Sequence, residues 1–170
     1  HGPEASKLYP TGNQWFSLED WDPEEPLKQD QLDRINAEIK ETMPSFNSYL
    51  DDLLKVHGIS PEKMALVGFS QGTMFALQIA LHRPLCGGVV GYSGALLESL
   101  EGDKVSRSPV LLIHGADDPL VPSSYSQRAE KYLQSLDVPV TLILLPGLEH
   151  SIDGRGLAAG GAFLKEKLYE

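Results

Sequence analysis

The sequence predicts an α/β fold, a mostly parallel sheet with helices on both faces. Three observations lead there. Short runs that are apolar throughout, rather than alternating, recur along the second half of the chain, as strands buried on both faces do. Stretches with three- and four-residue apolar steps separate them, which is the βα rhythm of a parallel sheet. At one strand-to-helix junction, "GFSQG" (68–72), a serine sits between two glycines.

The elements follow in order. Residues 1–26 are rich in Pro, Gly and acids and read as irregular. From 27 to 57, apolar residues at Leu32, Ile35, Ile39, Met43, Phe46, Leu50, Leu53 and Leu54 define one face of an amphipathic helix. Pro44 lacks a backbone donor and is expected to kink or split it; Gly58 is the expected C-cap. "KMALVGF" (63–69) is a strand by its length, and 71–82 is helical. "CGGVVGYSG" (86–94) and "SPVLLIHG" (108–115) are further strands. A helix over about 122–136 precedes the strand "VPVTLILLPG" (138–147), and a last helix covers about 154–168. No repeat or linker divides the chain, so residues 1–170 read as one α/β domain.

Composition narrows the function. The 170 residues are 41% hydrophobic, enough to bury a sizeable core, and the net charge of −10 argues against nucleic acid as a partner. No window approaches the ~18 apolar residues that a membrane span needs. The single cysteine, Cys86, excludes an intramolecular disulfide and reads as a buried packing residue; a cytoplasmic location fits. The start, "HGPEASKLYPTGNQWF", has no initiator Met and no apolar h-region, and does not read as a signal peptide. A homodimer is one arrangement the apolar helix faces allow.

The chemistry centres on Ser70. G-x-S-x-G between a strand and a helix is the pattern of a nucleophile elbow, where a strained turn lifts the hydroxyl above the sheet. Flanking glycines are expected to let neighbouring backbone pass. The helix that starts near Gln71 aims free N–H groups at the same point, so the Gln71 amide is a candidate oxyanion donor.

A serine hydroxyl needs a base. In the order Ser, acid, His, His1 and His57 come too early, and His57 and His82 sit at helix C-termini, where an exposed histidine is expected. His114 ends a strand and reads as a structural histidine. His150, in "PGLEHSID" after the last strand, is the candidate base, at the sheet edge where parallel sheets bind ligands. The acid belongs on a loop at that edge. "HGADDPLVP" (114–122) offers Asp117 and Asp118, between which spacing does not choose, and Asp103 is a weaker third candidate.

"NQWFSL" (13–18), "GFSQGTMFAL" (68–77), "HGADDPLVP" (114–122) and "EHSI" (149–152) together resemble the phospholipase/carboxylesterase family of α/β-hydrolases, which includes acyl-protein thioesterases. The resemblance implies the α/β-hydrolase fold, with Ser70 as nucleophile, Asp118 as acid, His150 as base and Gln71 completing the oxyanion hole. It casts Trp15 and Phe16 as an aromatic pair near an acyl pocket, although core packing leaves the same trace. It also implies further N-terminal strands and an HG-x-G loop carrying the second oxyanion donor, neither of which matches this sequence. Losing one such donor typically costs about 10²–10³ in kcat.

The expectation is a serine hydrolase of carboxylic esters, acting on a small-molecule or lipid-like ester without metal or cofactor. A lysophospholipase, an acyl-protein thioesterase and a non-catalytic binding module are the alternatives.

Overall fold

The computed structural model describes residues 2–6, 11–18, 21–22, 25, 27–97 and 105–169. Two short strands, β1 (Glu4–Ala5) and β2 (Asn13–Gln14), pair antiparallel within the opening segment. Helix α1 (Gln29–His57) follows, then a 3-10 turn at Pro61–Lys63, strand β3 (Ala65–Phe69), helix α2 (Gln71–His82) and strand β4 (Gly88–Tyr92). Strand β5 (Val110–Gly115), helix α3 (Ser124–Ser135), strand β6 (Val140–Leu145) and helix α4 (Gly154–Tyr169) complete the order.

The four long strands form one parallel sheet in the order β3-β4-β5-β6. The predicted fold class is therefore what the chain adopts. β4 and β5, the inner strands, are buried at every residue, which is why their sequences do not alternate. Their side chains nevertheless divide by face. Val89, Val110 and Leu112 pack against Leu77 and Leu81 of α2 and Leu133 of α3. Val90, Tyr92, Leu111 and Ile113 pack with Phe163 and Leu164 of α4 on the other side. α4 comes close there because Gly160 has no side chain: a Cβ would lie 2.2 Å from the Tyr92 hydroxyl.

A third cluster joins α1 to α2 through Ile35, Ile39 and Leu50 on one helix and Phe75 and Ile79 on the other. Each fully buried side chain of this size contributes about 1.5–3 kcal/mol. Arg83, just past α2, ties the helices together by donating to Asn47 Oδ1 at 2.8 Å and Asp51 Oδ1 at 2.5 Å.

Two details differ from the sequence reading. α1 is not split at Pro44 and runs unbroken through it. The hydroxyls of Thr42 and Ser45 donate to the carbonyls of Glu38 and Thr42, adding hydrogen bonds in the turns where proline removes one. The opening segment is also not wholly irregular, because it contains the β1–β2 ladder. The Gly58 cap is found as expected, at φ 63°.

The sheet positions the site. Because all four strands run the same way, their C-terminal ends share one edge, and the loops that follow β3, β5 and β6 carry Ser70, Asp118 and His150. β3 pairs only with β4 among the described residues, and its outward face leaves Val67 58% and Phe69 39% exposed. No helix among the described residues is long and apolar enough to cross a membrane.

Candidate active site

Ser70 joins β3 to α2 at φ 53°, ψ −118°, a conformation that costs a non-glycine residue of order 1–3 kcal/mol. Neighbouring elements hold it there. The carbonyl of Tyr92, at the end of β4, accepts from the Ser70 N–H and from the Thr73 hydroxyl, both at 2.8 Å. The Ser70 carbonyl in turn accepts from the amides of Thr73 and Met74. The Ser70 hydroxyl makes no capping bond to α2. Gln71 opens that helix, so its N–H is one of those with no acceptor inside the helix.

The two glycines of the elbow are not equivalent. A Cβ on Gly68 would lie 2.4 Å from the backbone of Gly72, so strand and helix meet this closely only with glycine there. A Cβ on Gly72 has nothing within 4 Å. The expected steric need for both glycines thus holds at Gly68 alone.

The two adjacent aspartates have different partners. Asp118 is fully buried at its side chain; Oδ1 accepts from the Leu120 and Val121 amides at 2.9 Å, and Oδ2 accepts from His150 Nδ1 at 2.7 Å. Asp117 is exposed, and its Oδ2 accepts from the Gly147 amide at 2.9 Å, securing the turn after β6. Asp103 lies outside the described residues, as does His1.

Gly115 lets these loops approach, because a Cβ there would lie 2.2 Å from the Leu148 carbonyl oxygen and 2.4 Å from that of Glu149. The His150 ring is only 14% exposed and rests against the ring of Phe69 at 4.8 Å between centroids. Phe69, the residue immediately before Ser70, is thereby part of the site, although the motif treats its position as variable.

His114 is fully buried and makes a closed set of contacts. Its Nε2 donates to the Val121 carbonyl at 2.8 Å and lies 3.2 Å from Asp118 Oδ2; its Nδ1 is 2.6 Å from the Ser126 hydroxyl. Burial pushes its pKa below the ordinary value of 6.5, against the opposing pull of the Val121 carbonyl and the Asp118 carboxylate. The other histidines end helices, His57 in α1 and His82 in α2, and both are exposed as expected.

The aromatic pair sits inward. Phe16 is completely buried in the α1–α2 cluster and offers no free surface, while Trp15 stacks on Phe75 at 4.2 Å and meets Phe46 edge-on. The Gln71 side chain grips this segment: Oε1 accepts from the Trp15 amide at 2.8 Å, and Nε2 donates to the Phe16 carbonyl at 2.7 Å. A small apolar cleft is lined by Met74 one turn into α2, Ala95, Val121 of the acid loop, Leu18, Trp21 and Tyr125, among others.

A parallel sheet with a glycine-flanked serine at a strained strand–helix corner, and a buried carboxylate–histidine pair on later loops of the same edge, defines a protein of the α/β-hydrolase class. The chain belongs to the phospholipase/carboxylesterase family, whose model matches residues 1–168. It is 31% identical to an esterase, YpfH, of Escherichia coli over 87% of this chain and 60% of that protein. It is 29% identical to an acyl-protein thioesterase 1 of Gibberella zeae over 98% of this chain and 75% of the relative. The crystal structure of esterase PE8 superposes with a TM-score of 0.85 at 32% identity, over 98% of this chain and 76% of that one. The chain thus spans about 60% of the length of the E. coli relative.

Proposed function

We propose that the protein is a serine hydrolase of carboxylic esters, with Ser70 as nucleophile, His150 as general base and acid, and Asp118 as the group that orients His150. The observation that carries this reading is the 2.7 Å bond from His150 Nδ1 to a carboxylate with no exposed surface, on the edge where the Ser70 elbow emerges. Asp118 accepts from the Leu120 and Val121 amides through Oδ1 and from His150 through Oδ2, which keeps the imidazole proton on Nδ1. That leaves Nε2 as the free base.

The steps follow. His150 Nε2 takes the Ser70 proton as Oγ adds to the ester carbonyl, and the carbonyl oxygen becomes an oxyanion facing the Gln71 N–H. The C–O bond to the alcohol then breaks, His150 passes its proton to the leaving oxygen, and an acyl-Ser70 ester remains. Water, deprotonated by the same nitrogen, attacks that ester; the acid leaves and Ser70 regains its proton.

A thioester or lysophospholipid substrate is the second reading. The likeness to an acyl-protein thioesterase favours it. Intact-protein mass after treatment with a fluorophosphonate tests the first claim: one adduct on the parent protein and none on Ser70→Ala is expected. An unmodified parent identifies a non-catalytic hydrolase-like module instead. Rates on p-nitrophenyl esters of increasing acyl length, against a palmitoyl thioester, then separate the two substrate readings.

A further inference from the structure

The fold places a second imidazole on the carboxylate that holds His150. His114 Nε2 lies 3.2 Å from Asp118 Oδ2, the oxygen that His150 Nδ1 approaches to 2.7 Å. The bonds around it close a ring. His114 Nε2 donates to the Val121 carbonyl, the Val121 amide donates to Asp118 Oδ1, and Asp118 Oδ2 faces back to His114.

Partner chemistry fixes the tautomer. Both atoms facing Nε2 are pure acceptors, so Nε2 carries the hydrogen. In the neutral ring Nδ1 is then an acceptor, and the Ser126 hydroxyl at 2.6 Å donates to it rather than to the Gly94 carbonyl at 3.1 Å. The titratable groups near the ring are Asp118 and, beyond it, His150; α3 presents Ser126 and β6 pairs Leu144 alongside. Burial favours the neutral form of the ring.

We propose that His114 is a positioning residue for the Asp118–His150 pair: its Nε2–H fixes the rotamer of the carboxylate and draws off part of its negative charge. This rests on the reading of those two residues as acid and base. The consequence concerns His150. A carboxylate held in one rotamer keeps Oδ2 on His150 Nδ1, so the imidazole stays in the tautomer that leaves Nε2 free as the base.

The test compares two amides in the folded protein. His114→Gln places its NH₂ where Nε2 stands, facing Asp118 and Val121. His114→Asn places its amide near the Nδ1 position and leaves both without that donor. Long-range ¹H–¹⁵N spectra read which nitrogen of the His150 ring carries the proton, without turnover. In His114→Asn the His150 Nδ1–H signal is expected to weaken and move upfield as its bond to Asp118 loosens, with kcat falling and KM unchanged. His114→Gln restores the parent spectrum.

An unchanged His150 Nδ1–H signal in a folded His114→Asn protein overturns the proposal. So does a parent spectrum showing His114 protonated at Nδ1, an outcome that needs no variant to fold. Failure of the catalytic reading looks different: the parent protein forms no fluorophosphonate adduct, whatever the two rings do.

Discussion

The side chain of Gln71 clasps the Trp15–Phe16 pair by its two outer main-chain groups, accepting from the Trp15 amide and donating to the Phe16 carbonyl. One residue therefore opens the helix behind Ser70 with its main chain and anchors the opening segment with its side chain. These roles separate by mutation, since every substitution except proline keeps the backbone N–H. Gln71→Ala is expected to lower stability by about 1–3 kcal/mol, the sum of two neutral hydrogen bonds, seen as a fall in the urea midpoint. Gln71→Glu keeps the acceptor for Trp15 but sets a carboxylate oxygen against the Phe16 carbonyl, and should be at least as damaging.

The adjacent aspartates should diverge as sharply as their surroundings do. Asp118→Asn turns an acceptor toward His150 Nδ1 into a possible donor and favours the wrong tautomer, which in a serine protease triad lowers kcat about 10⁴-fold. Asp117→Asn loses an exposed charged bond to the Gly147 amide and should change stability by less than about 1 kcal/mol. Rates on a short p-nitrophenyl ester read both, and similar losses at the two positions would contradict the assignment.

Acid stability should depend on His114. Burial holds its folded-state pKa below the ordinary 6.5, so between the two values the unfolded chain binds more protons than the folded one. Stability from this group is complete above about 6.5 and drains away as pH falls toward the folded-state value. Replacing His114 with Gln removes the titration and should flatten that part of the curve. Urea denaturation of both proteins from pH 7.5 to 5 tests it, and parallel curves would be the contrary result.

Gly115 and Gly72 make a matched pair. An alanine at Gly115 would drive Cβ into the Leu148 and Glu149 carbonyls, while one at Gly72 meets nothing within 4 Å. Gly115→Ala is expected to cost about 1–3 kcal/mol and to slow fluorophosphonate labelling as the His150 loop is pushed off Asp118. Gly72→Ala should stay within about 0.5 kcal/mol. Thermal melts and labelling rates on the two variants decide it.

Much of this molecule is legible in its sequence, for physical reasons. The inner strands are continuous apolar runs because both faces are covered, and helix α2 begins and ends at the residues the pattern marks. Spacing could not separate Asp117 from Asp118, because the distinction is burial, which a tertiary contact confers. The second function of Gln71, the packing of Phe69 on His150 and the ring through His114 were hidden for the same reason: each joins residues far apart in the chain or at positions the motif leaves open. The β1–β2 ladder escaped because two-residue strands have no period to detect. The unbroken α1 shows side-chain hydroxyls and packing outweighing one proline.

The outer margin of β3 has a colloidal consequence. Its peptide groups on that side have no partner strand among the described residues, and Val67 and Phe69 flank them in the open. Two copies meeting there could ladder together, as bare sheet margins do. What opposes them is the mutual repulsion of molecules that each carry a net charge of −10. Salt shortens the reach of that repulsion to about 3 Å at 1 M, without weakening apolar contact. Light scattering from residues 1–170 alone should therefore climb with ionic strength, the reverse of the behaviour of a protein held together by surface ion pairs.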